Sequence, residues 1–303
     1  MLAPLFKWAG GKGRMREKYG LEIWPDRDFN LFVDAFYGAG SVSHWVADKH
    51  PNVEFIINDA NSELITLYRN LRDNTDWFCE RVAELEHDYL KIPYYDKVAR
   101  MEYYNKYRMI YATDYKNLKS TDESAMLYFM MKINFNGWWL TYKFAKGRYA
   151  TCCGGVNQRS KFVDFKLLRD TAKFFNERVR EIRTGDFATV QEDAHPEAYL
   201  YFDPPYRDSW GYADASDKGQ HFDDKDHARL CELMRHCDDI KAMTAMSNKE
   251  IGDGFWEEHL PGFEMIKYDA TMTAGRGTSF VDVTEILLRN FKSEVSKLER
   301  LFG

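Results

Sequence analysis

Short apolar runs bounded by turn residues recur along the chain, and between several of them the apolar positions fall at helical spacing. Phe29 to Tyr37 reads as a buried strand, followed by Gly38-Ala39-Gly40 and a helix from Ser41. Val53 to Ile57 reads as a second strand and ends at Asn58-Asp59-Ala60-Asn61. From Ser62 to about Leu90 the pattern is helical, with Leu64, Leu67, Tyr68 and Leu71 on one face. Ser120 with Glu123 forms a capping-box pattern ahead of an apolar helix, Ala125 to Ile133. Strands follow at Arg180 to Arg183, Ala198 to Phe202, Ile240 to Met246, Phe263 to Tyr268 and Thr284 to Leu288, with a helix at Asp223 to His236. This alternation predicts an α/β fold whose largely parallel sheet is covered on both sides. The helical, aromatic segment 61–164 interrupts it and reads as an insertion with its own task. Residues 1–60 and 165–303 then form the sheet-bearing domain.

The chain has 303 residues, 45% hydrophobic and 16% aromatic, enough for one large α/β domain with an insertion. No apolar run reaches membrane-spanning length, and the start lacks the long apolar core of a signal peptide. Five cysteines, an odd count, argue against a disulfide framework and for a reducing cytoplasm. His227, Cys231, His236 and Cys237 lie close together, but no second Cys/His pair with zinc-ligand spacing accompanies them, so no metal is expected.

Charge changes the picture through its distribution. The net charge is −6, yet Lys132 to Arg183 holds twelve Lys/Arg against four Asp/Glu, a local +8 that leaves −14 elsewhere. Such segregation suits a basic surface offered to phosphates by an acidic body. Within it, Lys132 to Lys161 interleaves charge with Phe135, Trp138, Trp139, Tyr142, Phe144 and Tyr149, the pattern of a loop that tracks a nucleic-acid backbone and touches bases.

Candidate chemistry gathers at strand ends. A strand, then Gly38-x-Gly40, then a helix brings a nucleotide-like ligand close to the backbone, and Asp59, 19 residues beyond Gly40, is placed to accept from ribose hydroxyls. Ser43 replaces the third glycine of a dinucleotide fingerprint, which favours an adenosine without pyrophosphate. Gly185-Asp186-Phe187 adds a carboxylate and an aromatic after a third strand. Gly10-Gly11-Lys12-Gly13 lacks the following Ser/Thr and the upstream strand of a P-loop, so it is not an ATP site. Asp203-Pro204-Pro205-Tyr206, after the run Ala198 to Phe202, sets an acceptor, a rigid turn and an aromatic face within four residues. Prolines lack N–H groups, so neighbouring carbonyls can point at a ligand. The combination suits an exocyclic amine that must lose a proton while its ring is held flat. The plainer reading is a strand that stops at Pro-Pro with a solvated Asp.

With these residues in view, the chain resembles DNA adenine-N6 methyltransferases of the Dam family. The resemblance rests on Lys7-Trp8-Ala9-Gly10-Gly11-Lys12, Asp34 to Val42, Asn58 to Asn61, Asp203 to Tyr206, Phe222 with Asp226 to Leu230, and Ser247-Asn248. It covers nearly the whole chain, in the family's α order, with cofactor motifs first and the insertion before the tetrapeptide. It implies a seven-stranded Rossmann-like sheet that binds S-adenosylmethionine at its C-terminal strand edge. Segment 61–164 would be a mostly helical target-recognition domain carrying a DNA-reading hairpin. Trp8, Lys12, Asp59 and Asp203 would contact the cofactor, and Phe36, Gly38, Gly40, Asp186 and Phe187 would complete its pocket. Asp203, Pro204, Pro205 and Tyr206 would be catalytic. Lys7, Asn136, Lys143, Arg148 and Arg159 would face double-stranded DNA, with Arg148 offered to a guanine or a phosphate. Polar, glycine-containing Asp208 to His221 would cover the site.

In Dam relatives the hairpin commonly reads GATC through a Gly-x-Phe-x-x-Pro-Phe-Gly-like stretch. The corresponding run here is Gly147 to Gly155, where Tyr149 keeps an aromatic but Cys152 stands at the proline. A hairpin is therefore expected, and GATC is one target it implies. Adjacent Cys152 and Cys153 read as packing residues. Competing readings are an RNA adenine methyltransferase and an inactive DNA-binding protein; cytosine-N4 transfer fits less well because Asp203 replaces the serine that commonly begins that tetrapeptide. The expected setting is the cytoplasm of a prokaryotic or phage-bearing cell, beside restriction-modification, without membrane or obligate protein partner.

Overall fold

A seven-stranded sheet of order β3-β2-β1-β4-β5-β7-β6 organises the chain. In this computed structural model the described residues are 2–208, 222–274, 279–296 and 298. The strands are β1 Leu31–Asp34, β2 Glu54–Asp59, β3 Val179–Thr184, β4 Ala198–Phe202, β5 Met243–Glu250, β6 Glu264–Ala274 and β7 Ser279–Arg289. Strands β3, β2, β1, β4 and β5 pair in parallel, whereas β7 runs antiparallel to both β5 and β6. All four residues of β1 and all five of β4 are buried, as central strands covered on both faces must be. Every strand read from the apolar runs is present. Strand β5 outlasts its apolar stretch because the polar run Ser247 to Glu250 still pairs with β7.

Helix α1 Arg16–Tyr19 precedes β1, and α2 Ser41–Lys49, α3 Ser62–Asp73, α4 Thr75–Lys91, α5 Lys97–Thr113, α6 Ser120–Ile133, α7 Phe165–Arg178, α8 Asp224–Asp239 and α9 Phe255–His259 lie between the strands. The helical stretch after Asn61 is two helices rather than one. Asn74, at φ −135°, leaves helical geometry, and Thr75 Oγ1 bonds back to the Leu71 carbonyl at 2.8 Å. The expected capping box at Ser120 does not form. Ser120 sits inside the first turn and accepts from Asn70, while Glu123 pairs with Arg148. Carboxamide and carboxylate caps stand at Asn61, Asp96 and Asp164, and Asp223 with Asp226 closes a capping box on α8.

One buried core runs from one face of the sheet (Phe32, Phe55, Tyr199, Tyr201) through α3 and α7 to α4 and α6, where Phe78, Tyr89, Tyr128 and Phe129 pack together. A second core on the opposite face gathers Leu31, Val33, Leu200, Phe202, Leu230 and Trp256. A hairpin after α6 is held by bridges Asn134↔Cys153 and Thr141↔Tyr149. All five cysteines are free thiols.

Candidate active site

The C-terminal ends of β1, β2 and β4 meet at the point where strand order reverses, the place where open α/β sheets hold ligands. Here Gly38 and Gly40 adopt φ of +49° and +75°, and both lie against aromatic rings. A Cβ on Gly38 would stand 2.8 Å from Trp8 Nε1, and one on Gly40 would stand 2.5 Å from the Tyr37 ring. The turn therefore needs glycine for conformation and for space. Asp59 ends β2 and braces the turn, since Gly38 N–H donates to its carboxylate at 2.8 Å and Asn61 N–H at 2.9 Å. From α3, the Tyr68 hydroxyl donates to the Gly38 carbonyl at 2.5 Å.

Asp203 leaves β4 on the same edge. Lys12, 3% exposed, donates to Asp203 Oδ1 at 2.5 Å and to the Gly10 carbonyl at 3.2 Å, and its ammonium lies 4.7 Å over the Tyr206 ring. Burial pushes the Asp203 carboxyl up to about 6, against the pull of Lys12. Asp34, buried beneath, is pushed up to about 7 by its own burial, which the Ser43 hydroxyl at 2.6 Å opposes.

The tetrapeptide is clamped by residues the sequence reading did not assign. Glu285 of β7, 2% exposed, accepts from the Tyr206 hydroxyl and, at 2.6 Å, from that of Tyr19. Arg207, 5% exposed, forms two-pronged ion pairs with Asp224 and Asp253. Its backbone N–H donates to Asn248 Oδ1 at 3.1 Å. Buried His227 sits with Nε2 3.0 Å from the Pro205 carbonyl and Nδ1 2.9 Å from the Asp223 carbonyl. These partners are 17 to 79 residues from the loop in sequence, so no local pattern tied them to it, although His227 and Asn248 lie in the motifs that carry the resemblance.

Phe36 and Phe187 stack at 5.6 Å with 24° between their planes, and Phe222 meets both rings edge-on or tilted. Asp186 caps the turn after β3 through Ala188 N–H and pairs with Arg229 at 2.9 Å. The structure thus gathers Trp8, Lys12, Gly38, Gly40, Asp59, Asp203 and Tyr206, with Phe36 and Phe187 as an aromatic shelf.

The expected DNA-facing residues are less uniform. Exposed Lys7 and Asn136 lie side by side, because Gly137 touches the Lys7 backbone and Ala9 N–H donates to the Gly137 carbonyl. Arg159 is exposed and stacks on Tyr94 at 4.4 Å. The Lys143 side chain and the cover at residues 209–221 lie outside the described residues. Arg148 turns inward: it pairs with Glu123 and, at 3.4 Å, with Glu63, and lies 4.4 Å over the Tyr111 ring. Much of the basic stretch also serves the fold. Lys132 donates to the Leu5 carbonyl, Arg178 to those of His50 and Val53, and Arg183 pairs with Glu181 and Asp193.

The chain is 25% identical over 299 residues to the type II methyltransferase M1.LlaDCHI of Lactococcus lactis subsp. cremoris, covering 96% of each. It is 26% identical over 295 residues to the type II methyltransferase M.MjaIII of Methanocaldococcus jannaschii, covering 95% of this chain and 99% of the relative. It is 24% identical over 206 residues to a DNA adenine methylase of Haemophilus influenzae, covering 67% and 63%. The sequence model of one family matches residues 8–273, from the tryptophan on Gly38 into β6, and by that match the chain belongs to the D12 class N6 adenine-specific DNA methyltransferases.

Proposed function

We propose that Asp203, Pro204, Pro205 and Tyr206 carry the transfer of a methyl group from S-adenosylmethionine to adenine N6 in double-stranded DNA, with the base turned out of the helix. The family match establishes the reaction and the methyl donor. One observation supports the assignment to these residues: Asp203, held by buried Lys12 beside the Tyr206 ring, leaves the sheet on the same edge as Gly38 and Asp59.

The residues present fit the donor. Two carboxylates, Asp59 and Asp203, lie around a glycine turn with Lys12 as counter-charge, and their side of the site suits a cationic sulfonium. Asp59 is placed for ribose hydroxyls, Phe36 and Phe187 for an adenine ring, and Trp8 and Lys12 for the remainder. When bound, S-adenosylmethionine supplies an electrophilic methyl group.

The chain's own work is positioning and charge. Adenine N6 is a poor nucleophile because its lone pair is delocalised into the ring. Asp203 and the Pro204 carbonyl accept from the N6 hydrogens, localise the pair and aim it for in-line displacement. A carboxyl pushed up to about 6 is also matched to take the proton that N6 loses. Tyr206 stacks on the extruded base, worth roughly 1–3 kcal/mol. Extrusion costs a few kcal/mol, so contacts to phosphates supply the rest. Lys7, Lys143 and Arg159 are the proposed phosphate contacts, and the hairpin of the insertion, segment 61–164, reads the target, with Asn136 offered to a base edge and GATC as one candidate. The enzyme works in the cytoplasm and needs no obligate protein partner. Among the described residues no helix is long and apolar enough to cross a membrane.

Tritium transfer from labelled donor to adenine in duplex DNA tests the assignment. Asp203→Ala should abolish it while circular dichroism stays native, and modified-base sequencing of DNA from expressing cells maps the target. Undiminished transfer by a folded Asp203→Ala variant would remove the assignment.

A further inference from the structure

Glu63 stands where two tasks meet. It lies in the first turn of α3, four residues beyond Asp59, whose carboxylate braces the Gly38 turn and whose neighbour Asn61 caps the helix. The same helix returns to that turn through Tyr68, which donates to the Gly38 carbonyl. On its other side, the Glu63 carboxylate reaches the hairpin. Oε2 accepts from the Tyr149 backbone N–H at 3.2 Å, and Oε1 accepts from the Tyr111 hydroxyl at 2.5 Å and faces Arg148 at 3.4 Å. The Glu63 side chain is only 10% exposed, and Tyr149 is fully buried against Trp139 at 5.0 Å.

Three consequences follow from this placement. The return arm of the hairpin is pinned at Arg148-Tyr149 to α3 by Glu63, to α5 by Tyr111 and to α6 by Glu123. The outgoing arm is pinned at Gly137 to the Lys7–Ala9 backbone. The hairpin tip therefore projects from a base fixed at both arms. Of these fixings, the one through Glu63 joins it to the helix that also holds the cofactor turn. A buried carboxylate with a backbone N–H, a phenol and a guanidinium around it is a rigid joint, because each partner left behind would be desolvated without compensation.

We propose that Glu63 is a positioning residue for target-sequence discrimination, setting the hairpin against the cofactor turn so that the reading residues and the methyl-transfer site share one frame. The proposal rests on the hairpin reading the target, as argued above. It assigns Arg148 to the hairpin's base, inside the protein, rather than to a base pair.

The test uses the full-length enzyme, duplexes carrying the mapped target, and duplexes with a single base pair of it changed. For each, kcat/KM is measured with saturating S-adenosylmethionine. Glu63→Ala should lower the ratio between target and changed duplex by about tenfold, equivalent to ~1.4 kcal/mol of discrimination. Its KM for S-adenosylmethionine should stay within about twofold of wild type, since no ligand contact is removed. Glu63→Gln, whose one amide oxygen keeps the acceptor for the Tyr149 N–H while its NH2 can donate to the Tyr111 hydroxyl, should retain most of the ratio. Tyr111→Phe removes one hydroxyl and should lower the ratio in the same direction; it decides the matter if Glu63→Ala does not fold. An unchanged ratio in these variants, with Asn136→Ala lowering it, overturns the role of Glu63 and leaves the hairpin reading standing. An unchanged ratio in Asn136→Ala as well overturns both.

Discussion

Tyr206→Phe removes one oxygen from the site and leaves the ring that would lie against the base. That oxygen donates to Glu285, a carboxylate 2% exposed that also takes the Tyr19 hydroxyl. A hydrogen bond to a charged group contributes roughly 1.5–3 kcal/mol. Glu285 keeps Tyr19 when Tyr206 loses its hydroxyl, so the lower end applies. Stacking of roughly 1–3 kcal/mol is retained in the phenylalanine variant and lost in Tyr206→Ala. At about 1.4 kcal/mol per factor of ten, Tyr206→Phe should lower kcat by about tenfold and Tyr206→Ala by about a hundredfold or more. Burial holds the Tyr206 phenol well above its ordinary range, so it stays a neutral donor and the loss should not vary with assay pH. The assay is single-turnover methylation of a target duplex at saturating donor, with Glu285→Gln completing a double-mutant cycle. If Glu285 acts by holding the ring, the double variant should be little worse than either single one. Wild-type kcat in Tyr206→Phe, or full additivity with Glu285→Gln, would refute the clamp.

Asp203 must be ionised to accept from N6, so kcat/KM should fall about tenfold per pH unit below about 6, and a pH–rate profile with an acid limb near 4 would contradict the burial that raises it. Asp34 has a folded-state value of about 7 against an ordinary 3.8, so the fold binds its proton more tightly than the unfolded chain. Its contribution to stability therefore declines as pH rises from about 4 to about 7, up to a ceiling of roughly 4 kcal/mol. Asp34→Asn should gain stability relative to wild type across that window, as read by denaturant melts at pH 5 and pH 8. Gly40→Ala places a Cβ 2.5 Å from the Tyr37 ring at φ +75°. Calorimetry should show S-adenosylmethionine binding weakened about tenfold or more, with a strain cost of roughly 1–3 kcal/mol.

The strands were legible because each is an apolar run cut off by turn residues, and buried central strands leave that mark. The site's strand-end half, Gly38, Gly40, Asp59 and Asp203 gathered on one edge of the sheet, was legible for a similar reason: each follows or ends a strand. Its supporting half was not. Glu285 reads as one acid in an apolar strand, and Arg207 as a charge after a turn; their partners come from distant segments. Local charge also misled. Arg178 and Arg183 read as surface cations, yet they satisfy carbonyls and carboxylates at the ends of β2 and β3. The Ser120 pattern matched a cap, but tertiary partners claimed both of its members.

The aromatic seam from Phe55 through Phe174, Phe175, Tyr68 and Phe6 to Tyr128 and Phe78 crosses from the sheet to α4 and α6 without a break. Exchanging insertions among relatives to retarget methylation would cut through this seam. A chimera would show a single melting transition only if the donor rings travelled together with the sheet residues they interlock with. Retargeting by a few changes at the hairpin tip leaves the seam whole.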